Sequence, residues 1–273
     1  MNTKEVINKT RKKFWLKWSI AFRIMPLVIF IGVLKLAAHL FSFELMELNA
    51  LFTSLVAGTI FLIGFLISGV LTDYKESEKI PSELASSLKT LFDDAYTVYK
   101  SKNSAAALEL IKYQKIFISS LFDWLYKKER TSSVLRQIGN LNDFFIEMEK
   151  EGIQANYIIK MKNEQVNIRK IILRIDTIRD TEFVGSAYTI VETMGFLIAI
   201  GLVIIKIEPF YASLFFTLVV TFLISYMFYL IKDLDNPFDY SVNGESGTEI
   251  SLKPIHDLEL ALQDFTDEEL NSK

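Results

Sequence analysis

The sequence predicts an all-α membrane protein: four transmembrane helices arranged as two hairpins, with a helical cytoplasmic insert between them. Three observations lead there. The chain of 273 residues is 51% hydrophobic yet 23% charged, with a mean hydropathy of +0.27, a pairing that requires the apolar residues to be gathered in a few places. Two runs of 23 residues, 49–71 and 209–231, contain no charged residue. At ~1.5 Å per residue each is about 35 Å long, enough to cross a hydrocarbon core of roughly 30 Å. The long charged stretch between them repeats apolar residues at three- and four-residue steps, the period of a helix.

The elements follow in order. Residues 1–13 form a basic amino-terminal segment, and 14–71 form the first hairpin. Its first span, 14–35, carries Lys17, Arg23 and a kink-prone Pro26, with Phe14, Trp15 and Trp18 as an interfacial anchor. Its second span is the charge-free run NALFTSLVAGTIFLIGFLISGVL. Residues 72–183 form the insert, read as about four helices. Pro81 suits the first turn of the first of them, whose stripe is Leu84, Leu88, Leu91 and Phe92. A second stripe is Leu110, Tyr113, Phe117, Leu121 and Trp124, and a later one is Ile168, Ile171, Ile172 and Ile175. Residues 184–231 form the second hairpin, which turns on the three residues 206–208 and carries Glu192 within its first span. The tail is 232–273, in which LKPIHDLELALQDF reads as an amphipathic helix able to dock on a neighbouring subunit.

Orientation follows from the basic residues. Lys4, Lys9, Arg11, Lys12, Lys13 and Lys17 crowd the amino-terminal side, whereas the opposite turns hold only Lys35 and Lys206. Both termini, the insert and the tail are therefore expected in the cytoplasm. The first apolar run is long and lacks a small-residue cleavage site, so no removable signal peptide is expected.

Enzyme chemistry finds little support. There is no cysteine, hence no disulfide, thiolate metal site or thiol nucleophile. There is no phosphate-binding glycine loop, HExxH or GxSxG. His39 and His256 fall on opposite sides of the expected membrane and cannot share a metal, so no cofactor is expected. A net charge of −3 and a pI near 5.6 argue against nucleic-acid partners. Asp233, Asp235 and Asn236 offer oxygen ligands for a hard cation, but Asn236 before Pro237 also suits a helix stop and turn, and the turn is the favoured reading; the identity of any metal stays open.

A carboxylate inside a spanning helix needs a partner or a function. Arg23 and Glu192 both lie about seven or eight residues in from the cytoplasmic end of their spans, roughly 10–12 Å deep. An interhelical Arg23–Glu192 ion pair is the expectation; a pore-facing or proton-accepting Glu192 is the alternative.

Two stretches carry a resemblance. LVAGTIFLIGFLISGVLTDYKESEKIPSEL is similar to the second helix of bestrophins in Gly64 and Phe65, then Asp73 and Tyr74, then Glu76 and Lys79. After the last span, YLIKDLDNPFDYSVNGESGTEISL resembles the bestrophin segment in which Asn-Pro-Phe, here Asn236, Pro237 and Phe238 after Asp235, leads into an acidic tail. The basic-then-proline entry of the first span is similar to that of bacterial members. Two departures stand out: Leu66 occupies the place where bacterial bestrophins commonly carry arginine, and only Asp239, Glu245 and Glu249 follow the Asn-Pro-Phe, so calcium control is not part of the expectation. The resemblance, nearest to the bestrophin-like group of bacterial four-span proteins, implies a homopentameric, usually anion-selective channel in the bacterial inner membrane, its pore lined by the second span of each subunit.

Read by periodicity alone, the second span also makes a pore helix. Ala57, Phe61, Phe65, Ser68 and Thr72 recur at three- and four-residue steps, and Phe61 and Phe65 in a ring of subunits would form an apolar neck that gates by dewetting. The competing reading has Phe61 and Phe65 packing inside a bundle while Gly58, Gly64 and Gly69 allow close helix contact. The function expected is an oligomeric, chloride-conducting channel, with lipid, permeant ions and further copies of itself as partners. The alternative is a non-conducting membrane-anchored scaffold or sensor.

Overall fold

The computed structural model describes residues 3–180, 185–240 and 249–270. The side chains of Phe14, Trp15 and Lys17, together with Glu245 and the boundary at 183/184, lie outside the described residues. The elements are α1 (Thr3–Leu40), β1 (Met46–Glu47), α2 (Ala50–Ser77), α3 (Ile80–Lys102), α4 (Ala105–Leu125), α5 (Thr131–Lys150), α6 (Ala155–Asp180), α7 (Gly185–Ile204), β2 (Ile205–Lys206), α8 (Phe210–Asp235) and α9 (Lys253–Leu270). Among the described residues four stretches, in α1, α2, α7 and α8, are long and apolar enough to cross a membrane.

The chain divides into two compact units. In the first, α1 packs chiefly along α8 and also against α7, and α7 packs on α8. The α1 helix runs without interruption through Pro26 to Leu40. Its Gly32 admits Leu218 so closely that an added Cβ would lie 2.9 Å from the leucine Cδ2. The α2 helix joins through Phe52, Ile63, Leu66 and Val70, which bury themselves among Val191, Ile198, Leu202, Ile224 and Ile231. The turns of the two hairpins meet in a parallel two-residue ladder, Met46 opposite Ile205 and Glu47 opposite Lys206. Nothing in the sequence marks this ladder: two residues are too few to show the alternation that signals a strand.

The second unit is a four-helix bundle closed by α9. Its helices neighbour one another in ring order α3, α4, α5, α6 and back to α3. The stripes read from the sequence form its core: Leu84, Leu88, Leu91, Leu110, Phe117, Trp124, Ile168 and Ile175 are all at most 1% exposed. Its breaks are chemically explicit. Asn103 takes the left-handed conformation (φ 53°) that ends α3. Ser104 caps α4 by accepting from the Ala107 amide at 3.0 Å, and Glu151 accepts from the Ala106 amide at 3.0 Å and from the Ser104 hydroxyl. The amphipathic tail helix α9 packs on α3 and α4 of its own chain, burying Ile255, Leu258 and Leu262 and leaving Leu260 exposed. The reason is that the turn before it folds back: Phe238 and Tyr240 are buried, the Ile250 amide donates to the Pro237 carbonyl at 3.0 Å, and the Tyr240 hydroxyl donates to the Ile250 carbonyl at 2.6 Å.

Candidate functional site

The α2 helix starts at a cap supplied by its sequence: Asn49 Oδ1 accepts from the Phe52 amide at 2.9 Å. From there the helix has two faces. Phe52, Thr59, Ile63, Leu66 and Val70 are buried, at 9% exposure or less, and Thr59 satisfies its hydroxyl on the Leu55 carbonyl of the same helix. On the opposite side Ala57, Phe61, Phe65, Ser68 and Thr72 are all exposed, Phe61 at 77% and Phe65 at 71%. At 100° per residue Phe61 and Ile63 point in nearly opposite directions, so this division is what a helix with one buried stripe must produce. Leu66, which replaces the arginine of the resemblance, lies in the buried stripe and not on the outward one. Gly58 and Gly64 have open space where a Cβ would stand. Within the chain, therefore, Phe61 and Phe65 do not pack in the bundle, and these glycines serve no close contact.

The seat of α2 is tight at one point. A Cβ added at Gly201 of α7 would lie 2.3 Å from a ring carbon of Phe52, so only glycine lets that ring pack against the α7 backbone.

Arg23 and Glu192 are not brought together. Arg23 pairs with Asp233 near the end of α8, Nη1 to Oδ1 at 3.7 Å, while Glu192 is exposed and lines a cleft with Leu27 and Phe30 of α1. Glu192 thus sits beside residues one to two turns beyond Arg23, roughly 6–10 Å further along α1 at ~1.5 Å per residue. Counting inward from the edges of the apolar runs placed the two at the same depth because it ignored where α1 and α7 are set against each other.

A second polar group lies at the turn end of the bundle, and sequence reasoning missed it. Lys35, expected as a charge at the end of a span, is fully buried. Its ammonium donates to Glu44 Oε1 at 2.7 Å, to the Val203 carbonyl at 3.4 Å and to the Ile205 carbonyl. The other Glu44 oxygen faces His39 Nδ1 at 3.0 Å, and the His39 ring stacks on Phe210 with centroids 3.9 Å apart. Burial pushes the Glu44 carboxyl up, but its hydrogen bonds to Lys35 and His39 and their charges outweigh this and hold it below the ordinary carboxylate range. The only sequence signal was a lysine, a histidine and a glutamate within ten residues of one turn; the carbonyls that complete the lysine's shell belong to a segment 170 residues away.

At the tail turn, α8 stops at Asp235, and the Asp239 amide closes the turn on the Asn236 carbonyl at 3.2 Å. Pro237 and Phe238 are buried, and Asp239 pairs with Lys127. His256 stacks on Phe122 at 4.2 Å. Among the described residues no group of three or more histidine or acidic side chains forms a metal-binding cluster.

No family model matches the chain, and no curated protein matches it in sequence. Solved structures do. A bacterial bestrophin homologue from Klebsiella pneumoniae superposes with a TM-score of 0.72 at 15% identity, covering 90% of this chain and 98% of its own. A point variant of a Klebsiella pneumoniae bestrophin homologue gives 0.71 at 16%, covering 91% and 99%. A variant described simply as a membrane protein gives 0.75 at 14%, covering 89% and 98%. The likeness runs through both compact units and nearly the whole length of each chain, in an all-α membrane protein: the chain has the bestrophin fold.

Proposed function

We propose that this protein is an oligomeric ion channel whose pore is lined by α2, with Phe61 and Phe65 as its hydrophobic neck. The observation that carries the reading is the outward stripe of Ala57, Phe61, Phe65, Ser68 and Thr72, which the rest of the chain leaves exposed while the opposite face of the same helix is fully used. Copies arranged around an axis, five of them by analogy with the fold, bring these stripes together, and two stacked phenylalanine rings per subunit make a constriction that water leaves readily. The basic amino-terminal side supports an orientation with both termini, the helical insert and the tail in the cytoplasm, and the likeness to bacterial structures supports the bacterial inner membrane as its location.

Chloride is the permeant ion first expected, stabilised by aromatic edges and by the Ser68 hydroxyl. A second reading, cation conduction, is favoured by one contact: Thr72 spends its proton on the Ser68 carbonyl at 2.9 Å, so its oxygen offers lone pairs to the lumen.

The test is ion flux from liposomes containing the full-length protein. Flux above a protein-free control is expected, and Phe61→Ala should raise it severalfold by widening the neck. Substituting chloride and potassium in turn separates the two selectivities. A folded oligomer that passes neither ion, in either form, overturns the channel and leaves a membrane-anchored scaffold.

A further inference from the structure

The α1, α7 and α8 helices enclose a cleft of about 360 Å³ in which no residue of α2 takes part. Most of its wall is apolar, including Phe30, Ile198, Leu202 and Phe228. Its polar groups are few and specific: the Glu192 carboxylate, the Ser225 and Tyr229 hydroxyls, and Thr221.

Two of these are unusual. Among the described residues no hydrogen bond or ion pair reaches Glu192, which is exposed although it lies in the middle of an apolar helix. An ionisable group at that depth with nothing opposite it is costly. Thr221 is 6% exposed, and its hydroxyl is buried without a partner. Other helical threonines, at Thr59, Thr72, Thr189 and Thr193, each donate to the carbonyl four residues back. Thr221 does not, and it lines the cleft.

The arrangement has polarity along its length. Glu192 and Tyr229 lie toward the end of the cleft near the start of α7 and the end of α8, while Ile198 and Leu202 extend the apolar wall roughly 15 Å further along α7. A volume of this size suits a small organic molecule.

We propose that this cleft binds an amphiphilic amine from the bilayer, its ammonium against Glu192 and its hydrocarbon body along Phe30, Ile198 and Leu202. Charge complementarity selects the occupant: the cleft holds one carboxylate and no basic residue. Aromatic rings at Phe196, Phe228 and Tyr229 add faces that favour a cation over an anion of the same shape. Ser225 offers a hydroxyl on the ammonium side of the cleft, while Thr221 lies level with Ile198, roughly 9 Å further along, beside the hydrocarbon body. Conduction through α2 is not required, so the site and the channel fail independently.

The test embeds the full-length protein in lipid nanodiscs and follows its melting midpoint with dodecylammonium, dodecanol and dodecanoate. Dodecylammonium should raise the midpoint at concentrations where the alcohol and the carboxylate do not. Glu192→Gln should weaken the apparent affinity tenfold or more. Ala199→Phe, which fills the cleft and keeps the carboxylate, should abolish the shift and decides the matter should the glutamine variant fold poorly. Equal shifts from dodecanol, or a dodecylammonium shift that survives both substitutions, overturn the proposal. So does efficient disulfide formation between copies carrying Ser225→Cys, which would show the cleft covered by a second copy.

Discussion

Lys35 owes its burial to three oxygens, and only one of them belongs to a side chain. That one, Glu44, is consequently the residue whose loss is felt most. Glu44→Gln keeps the shape but leaves a buried ammonium without its counter-charge, at a cost of about 3 kcal/mol. Because the folded protein holds the Glu44 carboxyl below its ordinary range, this stabilisation is fully present above the pKa of the unfolded chain and disappears as the pH falls through the lower folded value. Melting curves of the two forms should differ near neutrality and converge in acid; a gap independent of pH would mean that the carboxylate's charge does not matter. Gly201 makes an equally local demand. Gly201→Ala drives a methyl into Phe52 and should cost about 1–3 kcal/mol, part of which Phe52→Leu in the same background should restore.

Helices reveal their faces in sequence but not their neighbours. The insert's stripes were readable because Leu84, Leu88 and Leu91 repeat at the helical period, and burial has only one side to choose. The two faces of α2 were readable for the same reason. That Arg23 meets Asp233 was not, since it depends on how far α8 extends beside α1, and no periodicity encodes the offset between two helices. A double-mutant cycle separates the alternatives. Arg23→Ala with Asp233→Ala should show a coupling of about 0.5–1 kcal/mol, as for a partly exposed pair, and Arg23→Ala with Glu192→Ala should be additive. The cap of α4 gives a comparable check in the bundle: Ser104→Ala removes an acceptor for the Ala107 amide and a donor to Glu151, and should cost about 1–2 kcal/mol.

For the molecule as a whole, the hydropathy of four segments already defined its class as a membrane protein. The exposure of Phe61 and Phe65 then turned a periodic pattern into an outward apolar surface on α2. Reporters fused to the two ends should both register the cytoplasmic side; opposite sides would require an odd number of crossings and would remove the present account of the pore. The joined turns of the two hairpins also bear on how the protein is made. Glu44 follows Lys35 by nine residues and is on hand almost as soon as the lysine leaves the ribosome, whereas the Ile205 carbonyl lies 170 residues behind. At about 5–20 residues per second, that is a wait of roughly 10–30 s. During translation the first hairpin is therefore an unfinished half whose ammonium is only partly solvated by protein, and the arrival of the second hairpin completes it.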